Sequence, residues 1–289
     1  SAPLRLCGET KNMSEHALFK KYPITGKVKT SLGEMPTPYQ VNDAHAVWIG
    51  GTANLASVKA ILQNEQVAPL QTTSGKALMA FWAVDERLAS LGPHTELQFS
   101  FYVTPQPATP VPDEPFALLK ALLNNPQVCQ MCHGLWNNTP EVVAYNREIL
   151  GLTPALAKSQ FSRIGGRAAF QFTSAADDSL LARGDVREMA RPPMNAMQAM
   201  FKSFGLMGTL RAAGAKLVNT RVMNPVNPML PRNAIAQTFA AYDDAVAQLF
   251  DPAHDTLEIA HPLYGGLDFH PQFVEHMRGF KMVYLEPGR

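Results

Sequence analysis

Residues 94–103 alternate strictly. Thr95, Leu97, Phe99, Phe101 and Val103 fall on one side; His94, Glu96, Gln98 and Ser100 fall on the other. Alternation of this kind predicts a strand with one face in a core and the other in water or a polar cavity. Residues 76–84 are apolar almost throughout, which predicts a strand covered on both faces. Residues 45–50 predict a further strand, stopped by Gly50-Gly51. Over 54–63 the period changes: Leu55, Val58, Ile61 and Leu62 share one helical face, with Asn54 as N-cap. Pro115 opens a helix whose stripe is Phe116, Leu119, Leu122 and Leu123. Thr139-Pro140-Glu141 starts another helix, with Gly151 as its C-cap and Arg147 and Glu148 in its last turn.

Gly165-Gly166 predicts a hairpin-like turn before a strand at 167–173, and the polar stretch 174–190 predicts a loop. Residues 193–210 predict a helix with Met194, Met197, Met200, Phe201, Phe204 and Met207 along one side, for packing or as an adaptable lid over an apolar ligand. Later strands are expected at 215–222, 235–240, 244–249, 257–261 and 280–285. Residues 1–34 are polar and weakly periodic; they predict an N-terminal arm with one short helix near 15–21, regular structure starting at Met35. Residues 35–289, with many strands, short helices and no internal repeat, predict a single α+β domain on an antiparallel sheet.

Composition narrows the function classes. A 289-residue chain that is 46% hydrophobic can build a large core. A net charge of +1 gives no pull toward nucleic acid or anionic membrane, and no apolar run is long enough to span a bilayer. Three cysteines make no disulfide framework and no signal peptide is visible, so the expected compartment is reducing and cytoplasmic. Neither a Gly-x-Gly-x-x-Gly nor a Gly-x-Ser-x-Gly pattern occurs. The expected partner is a small-molecule substrate or ligand, with no cofactor and no metal.

Glu96 and His94 project the same way from one strand and could act as general acid and base; a solvated strand face is the plainer reading. Gln98 and Ser100 would extend that wall toward a substrate carbonyl. Cys129-Gln130-Met131-Cys132-His133 spells the c-type haem attachment pattern, a remote alternative, and offers only half a zinc site. His254, His261, His270 and His276, with Asp268 and Glu275, form a loose scatter without ligand spacing.

Gly92-Pro93-His94-Thr95-Glu96-Leu97 and Asn146-Arg147-Glu148-Ile149-Leu150-Gly151 together resemble the acetoacetate decarboxylase-like superfamily. Met35–Tyr39, 54–63, 135–151, 256–259 and 283–287 follow the family's order and spacing. The resemblance implies a curved antiparallel barrel or cone around a central pocket, with peripheral helices, in a homo-oligomer. It aligns Glu96 with a pocket glutamate, and Arg147 and Glu148 with an Arg-Glu pair that holds substrate or forms an ion pair. The family's early arginine falls at Ala44 or His45, so His45 is a candidate replacement. A second pocket glutamate falls near Phe81, and the Schiff-base lysine and its neighbour fall at Pro154 and Ala155. The nearest lysine is Lys158. The expectation is therefore lyase, hydratase or isomerase chemistry on a small oxo- or hydroxy-acid or related carbonyl compound, by acid/base catalysis without a Schiff base. The alternative is a non-catalytic binding protein on the same fold.

Overall fold

The computed structural model describes residues 16–214, 217–228, 230 and 232–287. In chain order its elements are α1 (Ala17–Lys21), β1 (Gly26–Thr30), β2 (Gly33–Thr37), β3 (Tyr39–Asn54), α2 (Leu55–Ile61), β4 (Ala68–Pro69), β5 (Lys76–Ala89), β6 (His94–Thr104), α3 (Ala117–Asn124), β7 (Cys129–Asn137), α4 (Pro140–Glu148), β8 (Pro154–Ile164), β9 (Arg167–Ser174), β10 (Leu180–Arg187), α5 (Met194–Gly214), β11 (Leu217–Asn224), β12 (Ala234–Ala241), β13 (Asp244–Leu249), β14 (Thr256–Ile259), α6 (Pro262–Gly265) and β15 (His270–Tyr284).

Seven strands close on themselves in the order β7-β11-β12-β15-β3-β5-β6, and β6 returns to β7. The barrel is mixed rather than antiparallel. β7 runs parallel to β11 and to β8, because α4 carries the chain back across before β8 begins. Strands β8, β9, β10 and β14 continue as a sheet outside the barrel.

Strand parity divides the core. Ala44, Ala46 and Trp48 of β3 belong to the inner cluster with Ala80, Val84 and Tyr102. Val47, Ile49, Phe81, Leu97, Phe99 and Phe101 belong to an outer cluster with Phe170, Phe172 and Leu181 of the outer sheet. Phe81 stacks on Phe170 at 5.3 Å, which joins the two layers. The face of Leu97, Phe99, Phe101 and Val103 lies in the outer cluster, and the Glu96–Gln98 face turns inward, so the strand has one core face and one cavity face as expected.

Several expectations need correction. The pair Gly50-Gly51 does not stop β3, which runs through to Asn54. A Cβ on Gly51 would lie 2.1 Å from the His270 carbonyl oxygen, so glycine here admits the close approach of β15. Gly51→Ala should destabilise the fold by about 1–3 kcal/mol, read as a lower urea midpoint, because a backbone atom blocks the methyl. Residues 180–187, expected in a loop, form β10: Leu181, Ala182 and Val186 are buried while Arg183 pairs with Glu258 outside. The hairpin β1–β2 begins at Gly26, before the expected start at Met35, and crosses the expected boundary at 34/35. Residues 1–15 of the expected arm, with Glu15 and Cys7, lie outside the described residues, as do Ala215 and Lys216.

Asn54 caps α2 as expected, accepting from Ser57 N at 3.0 Å. The hairpin at Gly165-Gly166 has φ of 62° and 71°, which suits glycine at both central positions. Gly205 (φ 67°, ψ 176°) breaks α5. Met200 and Phe204 pack on the inner cluster, whereas Met194, Met197 and Phe201 are exposed. None of these five lines the central cavity; the Met207 side chain lies outside the described residues. Among the described residues no helix is long and apolar enough to cross a membrane.

Candidate active site

The barrel encloses a cavity of about 470 Å³. Its polar wall comes from adjacent strands whose inward residues line up across the sheet. β5 presents Trp82, Val84 and Glu86, β6 presents Glu96, Gln98 and Tyr102, and β15 presents Glu275 and Tyr284. α3 and β11 complete it with Leu119, Leu122 and Arg221.

Glu96 sits opposite Asn137 of β7. Asn137 Nδ2 donates to Glu96 Oε2 at 3.1 Å, and Asn146 Nδ2 of α4 donates to Asn137 Oδ1 at 3.0 Å. A chain of amides thus fixes the carboxyl from behind. Burial, and after it repulsion from Glu86, push the Glu96 carboxyl up to about 7, against the Asn137 hydrogen bond and the charge of His94.

His94 and Glu86 form a buried pair with Nε2 and Oε2 at 2.6 Å; their side chains are 0% and 1% exposed. Nδ1 of His94 lies 2.8 Å from the Gly92 carbonyl oxygen, which fixes the ring. The Tyr39 hydroxyl donates to Glu86 and lies 2.8 Å from His94 Nε2. Burial disfavours the imidazolium, but the Glu86 charge and these hydrogen bonds outweigh it and raise His94 to about 9. His94 does not line the cavity, and both its nitrogens are engaged. The structure thus sets His94 against Glu86, itself a cavity residue, rather than at the cavity surface beside Glu96.

Gln98 lines the cavity as expected, donating to Ser100 Oγ at 2.6 Å, and Gln130 donates to the same oxygen at 3.2 Å. The other expected substrate contacts are elsewhere. Parity turns His45 to the outside of the barrel, where its Nε2 is 3.3 Å from His276 Nδ1. Burial first, then the Arg163 charge, lower His45 to about 3, so the ring is neutral. His45, His276 and Glu188 offer three ligand atoms within 4.8 Å of one another. Arg163 and Arg278 already pair with Glu188 and supply the positive charge that a cation would bring. The exposed Arg147 donates through Nη2 to the Pro154 carbonyl at 2.8 Å, and Glu148 accepts from Ser31 N at 2.8 Å. Both face away because Asn146 is the α4 residue that lines the cavity.

Lys158 is exposed on β8 and pairs with Asp178, so it does not reach the cavity. Cys129 lies in the outer cluster and Cys132 in the inner one, both buried. Two thiols on opposite faces of one strand cannot attach the same haem, which corrects that alternative. His133 Nδ1 is taken up by the Tyr264 hydroxyl at 2.8 Å.

Sequence reasoning missed Glu86, Tyr39, Asn137, Asn146 and Tyr284, and met Glu275 only in the C-terminal scatter, not as a cavity residue. Glu86 was within reach: it continues the inward parity of Trp82 and Val84, two residues past the expected strand end.

No protein-family model and no curated protein matches the chain. Solved structures do. An acetoacetate decarboxylase structure is 12% identical, covering 86% of this chain and 87% of its own, with a TM-score of 0.53. Acetoacetate decarboxylase from Legionella pneumophila subsp. pneumophila str. Philadelphia 1 is 14% identical over 95% of each chain, with a TM-score of 0.54. The enduracididine biosynthesis enzyme MppR, complexed with pyruvate, is 10% identical over 90% of this chain and 95% of its own, with a TM-score of 0.53. Likeness at these identities is likeness of architecture, and the chain has the acetoacetate decarboxylase-like α+β fold.

Proposed function

We propose that this chain is an enzyme that moves a proton beside the carbonyl group of an oxo- or hydroxy-acid or a related carbonyl compound, with Glu96 as acid and base and without a Schiff base. The observation that carries this reading is the Glu96 carboxyl: it lines the cavity, Asn137 anchors it, and it is raised to about 7. A group with that pKa can both take and return a proton near neutral pH. No lysine lines the cavity among the described residues, which supports chemistry without an imine. The buried Tyr284 hydroxyl lines the same cavity and has no hydrogen-bond partner among the described residues. It is a suitable donor to a substrate carbonyl oxygen as negative charge develops there. Loss of the carbon-bound proton to Glu96 then leaves an enolate; its reprotonation gives isomerisation, expulsion of a β-leaving group from it gives elimination, and hydration is that elimination in reverse, with water adding to the conjugated carbonyl compound and Glu96 returning the proton to carbon. Lyase, hydratase and isomerase reactions share that step.

MppR, which has this fold, is complexed with pyruvate, so α-oxo acids open the substrate panel. The test is NMR of deuterium incorporation from D2O into a panel of α- and β-oxo acids. The expected result is exchange beside the carbonyl, faster than in buffer, for at least one of them. Saturable binding with no exchange in any member would replace the enzyme reading with a binding protein.

A further inference from the structure

Glu275 has a position that proton transfer at Glu96 does not use. It lies on the inner face of β15, directly opposite Trp48 of β3; Trp48 lies opposite Trp82 of β5, and Trp82 opposite Gln98 of β6. The two indoles stack at 5.3 Å with 22° between their planes, and Phe273 packs edge-on against Trp48. Trp48, Trp82, Tyr102 and Glu275 all line the cavity. Neighbouring inward residues on adjacent strands are in contact range, so the carboxyl flanks the aromatic wall.

Among the described residues Glu275 has no hydrogen-bond and no ion-pair partner. Every other acid in the cavity has one: Glu86 has His94 and Tyr39, and Glu96 has Asn137. Among the described lining residues the sole cationic side chain is Arg221, and its Nη1 donates to the Pro126 carbonyl at 2.9 Å. Glu275 is half-buried, and a carboxyl inside the barrel without a protein partner, beside aromatic side chains, favours a ligand that brings positive charge.

We propose that Glu275, Trp48, Trp82 and Tyr102 form a subsite for a cationic nitrogen, so that the ligand of this cavity carries a protonated amine or a quaternary ammonium group. The carboxylate supplies the counter-charge, and the aromatic side chains that line the cavity beside it add cation–π attraction where a ring meets the cation. Burial alone holds the Glu275 carboxyl up to about 7, in keeping with a charge that nothing in the protein offsets. The subsite needs the cavity but not the proton-transfer reading, so its test is one of binding alone.

The experiment titrates the full chain with choline and, separately, with the neutral carbon isostere in which a tert-butyl group replaces trimethylammonium. Binding is followed by calorimetry and by tryptophan fluorescence, since two of the three tryptophans line the site. Choline is expected to bind at least about tenfold tighter than the isostere. Glu275→Gln should remove that preference while leaving isostere binding unchanged. Trp82→Leu, the second variant, should weaken choline by a similar factor with Glu275 intact. Equal binding of the two ligands, no choline binding, or a preference that survives Glu275→Gln would each overturn the proposal. Proton exchange at Glu96 is not read in this experiment, so failure here leaves the proposed reaction standing, and the reverse.

Discussion

Glu96→Gln is expected to lower the rate of exchange or turnover by about 10²–10⁴-fold, the range of a positioned acid/base group. The amide keeps the shape of the side chain, and its oxygen can still accept from Asn137 Nδ2 as the carboxyl does. It loses only the ability to take up and return a proton. Ligand affinity and the unfolding midpoint should therefore change little while the rate falls. A variant that keeps wild-type rates would remove Glu96 from the chemistry. A fall in ligand affinity of the same size as the fall in rate would make it a binding group.

The second large effect is on stability. His94→Ala should destabilise the protein by about 3–5 kcal/mol, because it removes one member of a buried pair and leaves the Glu86 carboxyl buried without that partner. The Tyr39 hydroxyl would be its sole remaining donor among the described residues. Replacing both Glu86 and His94 with leucine should cost less than the single change, since no charge is then stranded. The pair also carries a pH signature. An unfolded histidine titrates near 6.5, whereas the folded His94 is raised to about 9. Between those values the folded state holds a proton that the unfolded state has released. The stabilisation is therefore complete below about 6.5 and is lost as pH rises through about 9. Urea unfolding across that window should show wild-type stability falling with pH. His94→Ala should lack this contribution, and parallel profiles for the two proteins would contradict the buried ion pair.

The legible parts of this chain were those in which one strand carries its own pattern. The alternation over 94–103 placed Glu96 and Gln98 on the cavity face and Phe99 and Phe101 on the opposite one, and β6 has that division. The family resemblance supplied the barrel and the pocket. Contributions set by other strands were hidden. His45 looked like a replacement for a pocket arginine because its position was known to within one residue, and one residue in a strand reverses the face. Glu275 and Tyr284 belong to β15, of which only residues 280–285 read as strand. The bulges between Arg278 and Met282 blur the period of 2 there. Asn137 and Asn146 act through hydrogen bonds between β7 and α4, and no spacing rule describes such bonds.

The central claim is that the Glu96 carboxyl stands ready near neutrality inside the barrel, and this can be measured without knowing the substrate. Carboxyl titration by carbon-13 NMR on glutamate-labelled protein, with Glu96→Gln to assign the signal and Glu275→Gln to separate the other raised acid, reads it directly. The account predicts a midpoint near 7 for the signal that Glu96→Gln removes. A midpoint in the ordinary glutamate range of about 4 would show a solvated carboxylate and would contradict it.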